Sequence, residues 1–339
     1  MVSPMLRRVL LAAVALVILA IVAAAVVLVP AHVGIRREHP PLPSIEMVRA
    51  AVSGAVDGPV RVRWINTSTQ VVPRSAVLGA QDPHPDRSYR LCHSAFAVEW
   101  EDGRILLIDA GMTREQAVAF GAMGEWAGAK PIEVATTVAE SLGPRVKDAA
   151  GVVFTHLHVD HVDGVRELCA PGDEPRIAAF LNQAQAQRTN HTTGDALATL
   201  RSLPCLRLVE LAAAGMLPID GFPGAFVIPV AGHTPGSQVV VIALRGDSGR
   251  RPMVFTGDVV NHIDGINFDV GKPALYRALV VPEDDGRLSE VRRFLRDLRD
   301  RAGFELLVSH DEYALASTSV ARSSLTSATD TEPAPCGAR

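Results

Sequence analysis

The run His156-Leu157-His158-Val159-Asp160-His161 sets three imidazoles and one carboxylate within six consecutive residues, and any fold of this chain must give them either water or a cation. Imidazole nitrogen and carboxylate oxygen are the usual protein ligands of zinc and similar divalent ions. The run follows directly on Gly151–Thr155, a short apolar stretch that reads as a buried strand. If His156 and His158 continue that extended backbone, alternation turns both to the same side. Asp160 and His161 follow where the chain turns into a helix and face a second nearby position, with Gly164 leaving the backbone room. A solvated polar loop is the competing reading, and the density of ligand side chains argues against it.

One segment cannot complete two metal shells, and the chain offers more candidates at intervals. His233 sits in Gly232-His233-Thr234-Pro235-Gly236-Ser237, Asp258 in Thr256-Gly257-Asp258, and His310 in Ser309-His310-Asp311. Each lies just past an expected strand: Phe226–Pro229, Met253–Thr256 and Glu305–Val308. Strand ends are where a rigid scaffold presents side chains on loops into a shared cleft. Taken singly, His233 reads as a turn histidine, Asp258 as a helix N-cap and His310 as a hydrogen-bonded core residue; their order along the chain favours ligands. Asp109, in Ile108-Asp109-Ala110-Gly111, either fastens its own turn or orients a ligand imidazole.

This ordered set resembles the metallo-β-lactamase superfamily over residues 60–312: H-x-H-x-D-H, a His in a G-H-T-P-G-S turn, T-G-D, then a late His. The resemblance implies an α+β fold, the αββα sandwich of that family. It implies two divalent ions, with zinc first and iron or manganese as alternatives. His156, His158 and His233 would hold one ion, Asp160, His161 and His310 the other, and Asp258 would bridge. Asp109 would support a ligand from behind. A hydroxide shared by the ions would attack an ester-like bond in a small molecule, a lactone, thioester or related compound, with Asp160 also passing the proton. The Cys found at the second-metal position of the commonest true metallo-β-lactamases is missing here, which sets a β-lactamase-like amide hydrolase behind thioesterases and lactonases. The Tyr that lactonases carry shortly after the bridging Asp is also missing, since Val259-Val260-Asn261-His262 follows Asp258. A di-iron reductase of the fold would need Glu in place of His158. A phosphodiesterase or nuclease would show a basic surface or an inserted helical domain, and a formal net charge of −4 gives no global attraction to nucleic acid. A non-catalytic, metal-stabilised binding domain remains as a reading from another class.

Val9–Val29 is an uncharged run of Val, Leu, Ile and Ala, about 30 Å long as a helix, which matches a bilayer core. Arg7 and Arg8 precede it and few charges follow before Arg36 and Arg37, so the positive-inside rule predicts a cytoplasmic N-terminus and an extracytoplasmic catalytic domain. A cleaved secretory signal is the rival reading, although signal cores are typically about 7–15 residues. The expected organisation is an anchor over 1–30, a Pro-rich spacer over 31–58 with a short helix near Ile45–Val52, a hydrolase domain over 59–316, and a disordered tail over 317–339.

Within the domain, strands are expected at Val60–Trp64, Gln70–Val77, Ser94–Trp100, Arg104–Asp109 and Gln238–Leu244, and helices at Thr113–Trp126, Ile132–Leu142 and Leu288–Arg301. None of the four cysteines forms a C-x-x-C pair. Cys169 and Cys205 either pair, in an oxidising compartment, or stand as separate thiols. His93, His191 and His262 belong to no ligand motif. All three read first as ordinary structural or loop histidines; the functional alternatives are that His93 borders the cleft, His262 reaches substrate, and His191 rides on a mobile lid within the polar stretch Asn182–Asp195.

Overall fold

The computed structural model describes residues 4–79, 82, 84–126, 128–245 and 251–322. Two sheets face each other. The larger joins β1 (Arg61–Pro73), β2 (Ser88–Glu99), β3 (Ile105–Ile108), β4 (Glu133–Val134), β5 (Ala149–Val153), β6 (Ile177–Asn182), β7 (Leu206–Leu211) and β13 (Ala321–Arg322). Its order is β13-β1-β2-β3-β5-β6-β7, with β4 also on β1. The pairs β1–β2 and β2–β3 are antiparallel, and β3–β5–β6–β7 run parallel. The smaller sheet has the order β12-β11-β10-β9-β8, from β8 (Leu217–Pro218), β9 (Ala225–Pro229), β10 (Gln238–Ile242), β11 (Met253–Phe255) and β12 (Glu305–Leu307).

The helices are α1 (Pro4–Ile35), α2 (Ile45–Ser53), α3 (Arg114–Trp126), α4 (Val138–Leu142), α5 (Val159–Val162), α6 (Gln183–Gln187), α7 (Gly194–Ser202), α8 (Ile263–Phe268), α9 (Ala274–Leu279), α10 (Asp285–Ala302) and α11 (Glu312–Ala316). Period-two alternation in the strands divides the interior into three apolar layers. Phe96, Val98, Leu106 and Ile108 face Val240, Ile242, Phe255 and Leu307 between the sheets. Ala95, Ala97, Leu107 and Val152 pack outward, with Val138, Val162, Leu197 and Leu200 covering them. Val239, Val241 and Val254 pack beneath Leu288, Val291, Leu295 and Leu298 of α10 and Val48 of α2. Helix layer, sheet, sheet, helix layer is the expected αββα sandwich, with mixed sheets.

Several local expectations are corrected. The two strands expected at Val60–Trp64 and Gln70–Val77 are one continuous β1, interrupted in its pairing by a register shift between Asn66 and Ser68. The helix expected over Ile132–Leu142 is a two-residue strand followed by α4. Glu133 and Val134 pair with Thr69 and Ser68, and the helix begins only after Thr137, which forms a capping box with Glu140. The parallel strands β6 and β7 were not expected at all. In the tail, Ala321 and Arg322 pair with Arg63 and Trp64 of β1; residues 323–339 lie outside the described residues. Cys169 and Cys205 are joined by a disulfide, with their Cα atoms 5.4 Å apart.

The segment after α1 is not a free spacer. Glu38 is buried and accepts hydrogen bonds from the Gly236 amide (2.9 Å) and Arg188 (3.4 Å). His39 pairs with Asp284 at 3.3 Å, and the Pro40 carbonyl accepts from Arg287. Helix α1 is long and apolar enough to cross a bilayer by length and composition; its side chains are exposed except at the end, where Ala31 and Ile35 are buried.

Candidate metal centre

All seven residues singled out as ligands meet at one end of the sandwich. β5 delivers His156 and His158, and α5 carries Asp160 and His161. The turn after β9 brings His233, the one after β11 Asp258, and the one after β12 His310. The seven are at most 8% exposed. Backbone geometry makes the convergence possible. A Cβ at Gly164 would collide with the Ala110 carbonyl, so only glycine lets the chain after α5 lie against the 109–111 turn. Asp109 adopts a left-handed φ of 57°, which Asp tolerates better than most residues. From there its carboxylate accepts from the Thr155 amide (2.7 Å), the Thr155 hydroxyl (2.8 Å) and His161 Nδ1 (2.8 Å).

Each of the five imidazoles has one ring nitrogen tied to the protein. His156 Nδ1 donates to the Thr155 hydroxyl (3.1 Å), whose own proton goes to Asp109. His158 Nε2 donates to Thr192 (3.0 Å). His161 Nδ1 donates to Asp109, His233 Nδ1 to Glu283 (2.6 Å) and His310 Nδ1 to the Cys92 carbonyl (2.7 Å). The opposite nitrogens, with their lone pairs, turn inward and group together. His158 Nδ1 is 3.1 Å from His156 Nε2 and 3.2 Å from His233 Nε2. His161 Nε2 and His310 Nε2 are 3.4 Å apart. Nitrogens around a tetrahedral zinc at 2.0–2.1 Å stand about 3.3 Å apart, so these spacings fit a common cation and have no good reading as hydrogen bonds between neutral rings. Asp258 spans the two groups: Oδ1 is 2.8 Å from His310 Nε2 and 3.2 Å from His161 Nε2, and Oδ2 is 3.6 Å from His233 Nε2. Asp160 Oδ2 lies 3.6 Å from His310 Nε2 and 3.7 Å from His161 Nε2. Asp258 Oδ1 is buried without a hydrogen-bond donor, an acceptor a cation would satisfy. The donor set fits divalent cations: His156, His158, His233 and Asp258 form one group able to hold an ion, His161, His310 and Asp258 a second that shares Asp258 with it, and His93, Asp160 and His310 a third that shares His310.

Charge follows the same plan. Burial, reinforced by neighbouring imidazoles, holds His156 and His158 well below the usual imidazole range, and burial with Lys272 nearby lowers His233. These rings are neutral at physiological pH, the form that ligates metal. Burial also depresses His161 and His310, but the facing carboxylates outweigh it and raise both, so without an ion their inward nitrogens favour a proton, whose place a cation bound between ring and carboxylate would take. For Asp258, burial raises the carboxyl while His310, Lys272, His156 and His161 hold it well below the carboxylate range.

Three contributors escaped the sequence reading. Glu283 orients His233 and pairs with Lys272 at 2.9 Å, and Lys272 also lies 3.6 Å from Asp258. Thr192 fastens His158, so the polar loop does reach the site, through the residue next to the exposed His191. The one available signal was Lys272 itself, one of three lysines in a chain whose basic residues are otherwise arginine. His93 borders the site: its Nε2 is 3.9 Å from Asp160, and its Nδ1 meets Ser68 at 3.0 Å. His262 does not face the cluster. It caps α8 through the Asp264 amide and lies against Arg74, 2.9 Å away.

Comparison with known proteins agrees with this geometry. The family model described as the metallo-beta-lactamase superfamily matches residues 91–310, nearly two thirds of the chain. No protein of curated function matches the sequence. Among solved structures, an N-acyl homoserine lactone hydrolase with the product N-hexanoyl-L-homoserine at its catalytic metal centre superimposes with a TM-score of 0.57 at 16% identity, over 78% of this chain and 98% of that one. A variant of B. thuringiensis AiiA with N-decanoyl-L-homoserine at its active site gives 0.57 at 17% identity, over 78% and 98%. A quorum-quenching N-acyl homoserine lactone lactonase gives 0.56 at 16%, over 78% and 97%. At such identities the likeness is one of fold; the family match over residues 91–310 shows that the chain belongs to the metallo-β-lactamase superfamily.

Proposed function

We propose that this protein is a di-metal hydrolase, with zinc the best-suited ion, that cleaves an ester-like bond in a small molecule: a lactone, a thioester or a related group. In this reading His156, His158 and His233 would hold one ion, Asp160, His161 and His310 would hold the other, and Asp258 would serve both. The observation that carries it is the arrangement of the five imidazoles, each fixed from behind and offering its free lone pair to one small volume. Bound there, the ions supply a water acidified to near neutral pH and a Lewis acid for the developing oxyanion. The rest is work for the chain's own groups. Asp258 remains ionised and keeps its two oxygens divided between the two groups of ligands. Asp160 takes the proton released on attack and hands it to the leaving oxygen or sulfur. The half-buried Tyr276, its ring 5.9 Å from the Lys272 ammonium, has its phenol pushed up by burial and by Glu283, Asp258 and Asp160, which favours the protonated form beside the site. A set of nitrogens and carboxylate oxygens without thiolate suits zinc and tolerates iron or manganese.

Ester-like substrates are favoured because Asp258 stands where antibiotic-hydrolysing members of the family use Cys, and because the lactone hydrolases named above share the fold. We further infer that α1 anchors the protein, with the catalytic domain on the extracytoplasmic side. An uncharged run longer than a signal core, Arg7 and Arg8 before it, and a disulfide suited to an oxidising compartment support this.

The test is metal analysis of the purified full chain, then turnover on a panel of thioesters, lactones, β-lactams and phosphodiesters. Two metal equivalents and preference for a lactone or thioester are expected. His158→Ala should lower kcat at least a thousand-fold while the far-ultraviolet circular dichroism stays unchanged. Full turnover after exhaustive chelation would sink the reading.

A further inference from the structure

Helix α9 divides its surface sharply. Leu275 and Leu279, one turn apart, are 75% and 61% exposed, and the adjoining Val280 is 55% exposed. The same segment carries inward-facing chemistry: Lys272 lies 5.9 Å from the Tyr276 ring centre and 3.6 Å from Asp258. Three large aliphatic side chains grouped on one short helix and its C-terminal cap call for a partner. The contact that identifies the partner comes from the opposite end of the sequence: His32 Nε2 donates to the Ala278 carbonyl at 3.0 Å.

That bond sets the depth of α9. The apolar run of α1 ends at Val29, and His32 lies three residues further along the same helix, about 4.5 Å at 1.5 Å per residue. Headgroup layers extend roughly 5–8 Å beyond each face of the hydrocarbon core. With Val9–Val29 spanning the core, His32 and the α9 backbone bonded to it lie in the headgroup layer. Leu275, Leu279 and Val280 are then within reach of the acyl-chain boundary.

We propose that the apolar face of α9 docks on the lipid surface of the membrane that holds α1, so that the Lys272–Tyr276 wall of the site stands a helix width from the headgroups. This rests on reading α1 as an anchor and is independent of the hydrolase assignment.

The test uses the full chain carrying Cys336→Ser, since Cys92 is buried and Cys169 and Cys205 are bonded to each other. Single nitroxide labels are placed at Val17→Cys, Leu279→Cys and Asp102→Cys, the last in the hairpin turn at the far end of β3 from the site. The protein is reconstituted in phosphatidylcholine–phosphatidylglycerol vesicles, and collision with oxygen is compared with collision with a water-soluble nickel chelate. Lipid contact at residue 279 predicts high oxygen access and nickel access at least three-fold below that at residue 102. Residue 17 in lipid with residue 279 open to nickel would overturn the docking and leave the anchor standing. Low access to both reagents at 279 means a protein covers the patch, a second copy included, and overturns the docking equally. Nickel access at residue 17 would overturn the anchor and the docking with it. None of these results touches the hydrolase assignment, which the metal and substrate tests decide.

Discussion

His233 is held toward the ligand cluster by Glu283, and Glu283 also neutralises Lys272, which is 3% exposed. Removing the carboxylate frees the imidazole to rotate and leaves a buried ammonium without its partner. Groups behind a metal ligand are typically worth 10–100-fold in metal affinity. Glu283→Ala should therefore weaken zinc binding by about that factor in a competition titration with a chromophoric chelator; unchanged affinity would remove Glu283 from the site. A second residue-scale prediction concerns His93, whose pKa burial lowers to about 4. An unfolded imidazole takes a proton below about 6.5. Between those values the unfolded chain binds the extra proton, so the contribution to stability is complete above 6.5 and declines as pH falls toward 4, by roughly 3 kcal/mol in all. His156, His158 and His233 are lowered as well and add to the same slope. His161 and His310, whose values are raised, act above 6.5 instead, where their stabilisation is lost as pH rises through the folded values. Urea midpoints of the metal-free protein should fall from pH 6.5 to 5, and fall less steeply in His93→Gln. An equal slope in the variant would show that His93 titrates freely.

The disulfide between Cys169 and Cys205 closes a loop with a sequence separation of 36 that contains β6, α6 and α7, and with them Thr192. By chain-entropy arithmetic such a closure stabilises the fold by roughly 4 kcal/mol. The Cys169→Ala/Cys205→Ala chain should unfold several degrees lower by circular dichroism, and reductant should lower the parent's midpoint while leaving the variant's unchanged. A reductant-insensitive parent would contradict this. That loop is also where the sequence was least legible. The strand β6 is buried at every position, whereas β7 alternates only weakly and lies at the sheet edge, so neither shows a clear period-two pattern. Ile132–Leu142 carries apolar residues at helical spacing, but pairing of Glu133 and Val134 with β1 overrides it; the T-x-x-E signature at Thr137–Glu140 marked the true helix start. The strands that lead into the His and Asp cluster were readable because each ends abruptly in a short motif rich in His, Asp and Gly. The supporting groups were not. Glu283 and Thr192 lie 50 and 34 residues from the imidazoles they hold, and no local pattern announces a partner at that range.

At the scale of the molecule, the stretch between α1 and the domain behaves as part of the site's foundation. The Gly236 amide, three residues from His233, donates to Glu38, which is 7% exposed. His39 binds Asp284, and the Asp284 amide donates to the Gly232 carbonyl, directly before His233. Arg287, buried beneath α10's first turn, bonds both the Pro40 and Val230 carbonyls. The turn that presents His233 is thus gripped from residues 38–40 at several points, with Glu283 on its other side. Two truncated chains separate a spacer from a structural strap. One starting at Arg36 keeps every one of these bonds and should match the full domain in stability and zinc affinity. One starting at Ser44 loses them. Hydrogen bonds to charged groups are worth about 1.5–3 kcal/mol each, so it should unfold at least 2 kcal/mol more easily in denaturant and bind zinc at least ten-fold more weakly. Glu38→Ala in the longer chain should reproduce part of both losses. Identical behaviour of the two truncations would make residues 36–43 a passive tether, and would leave His233 held by Glu283 and its own turn alone.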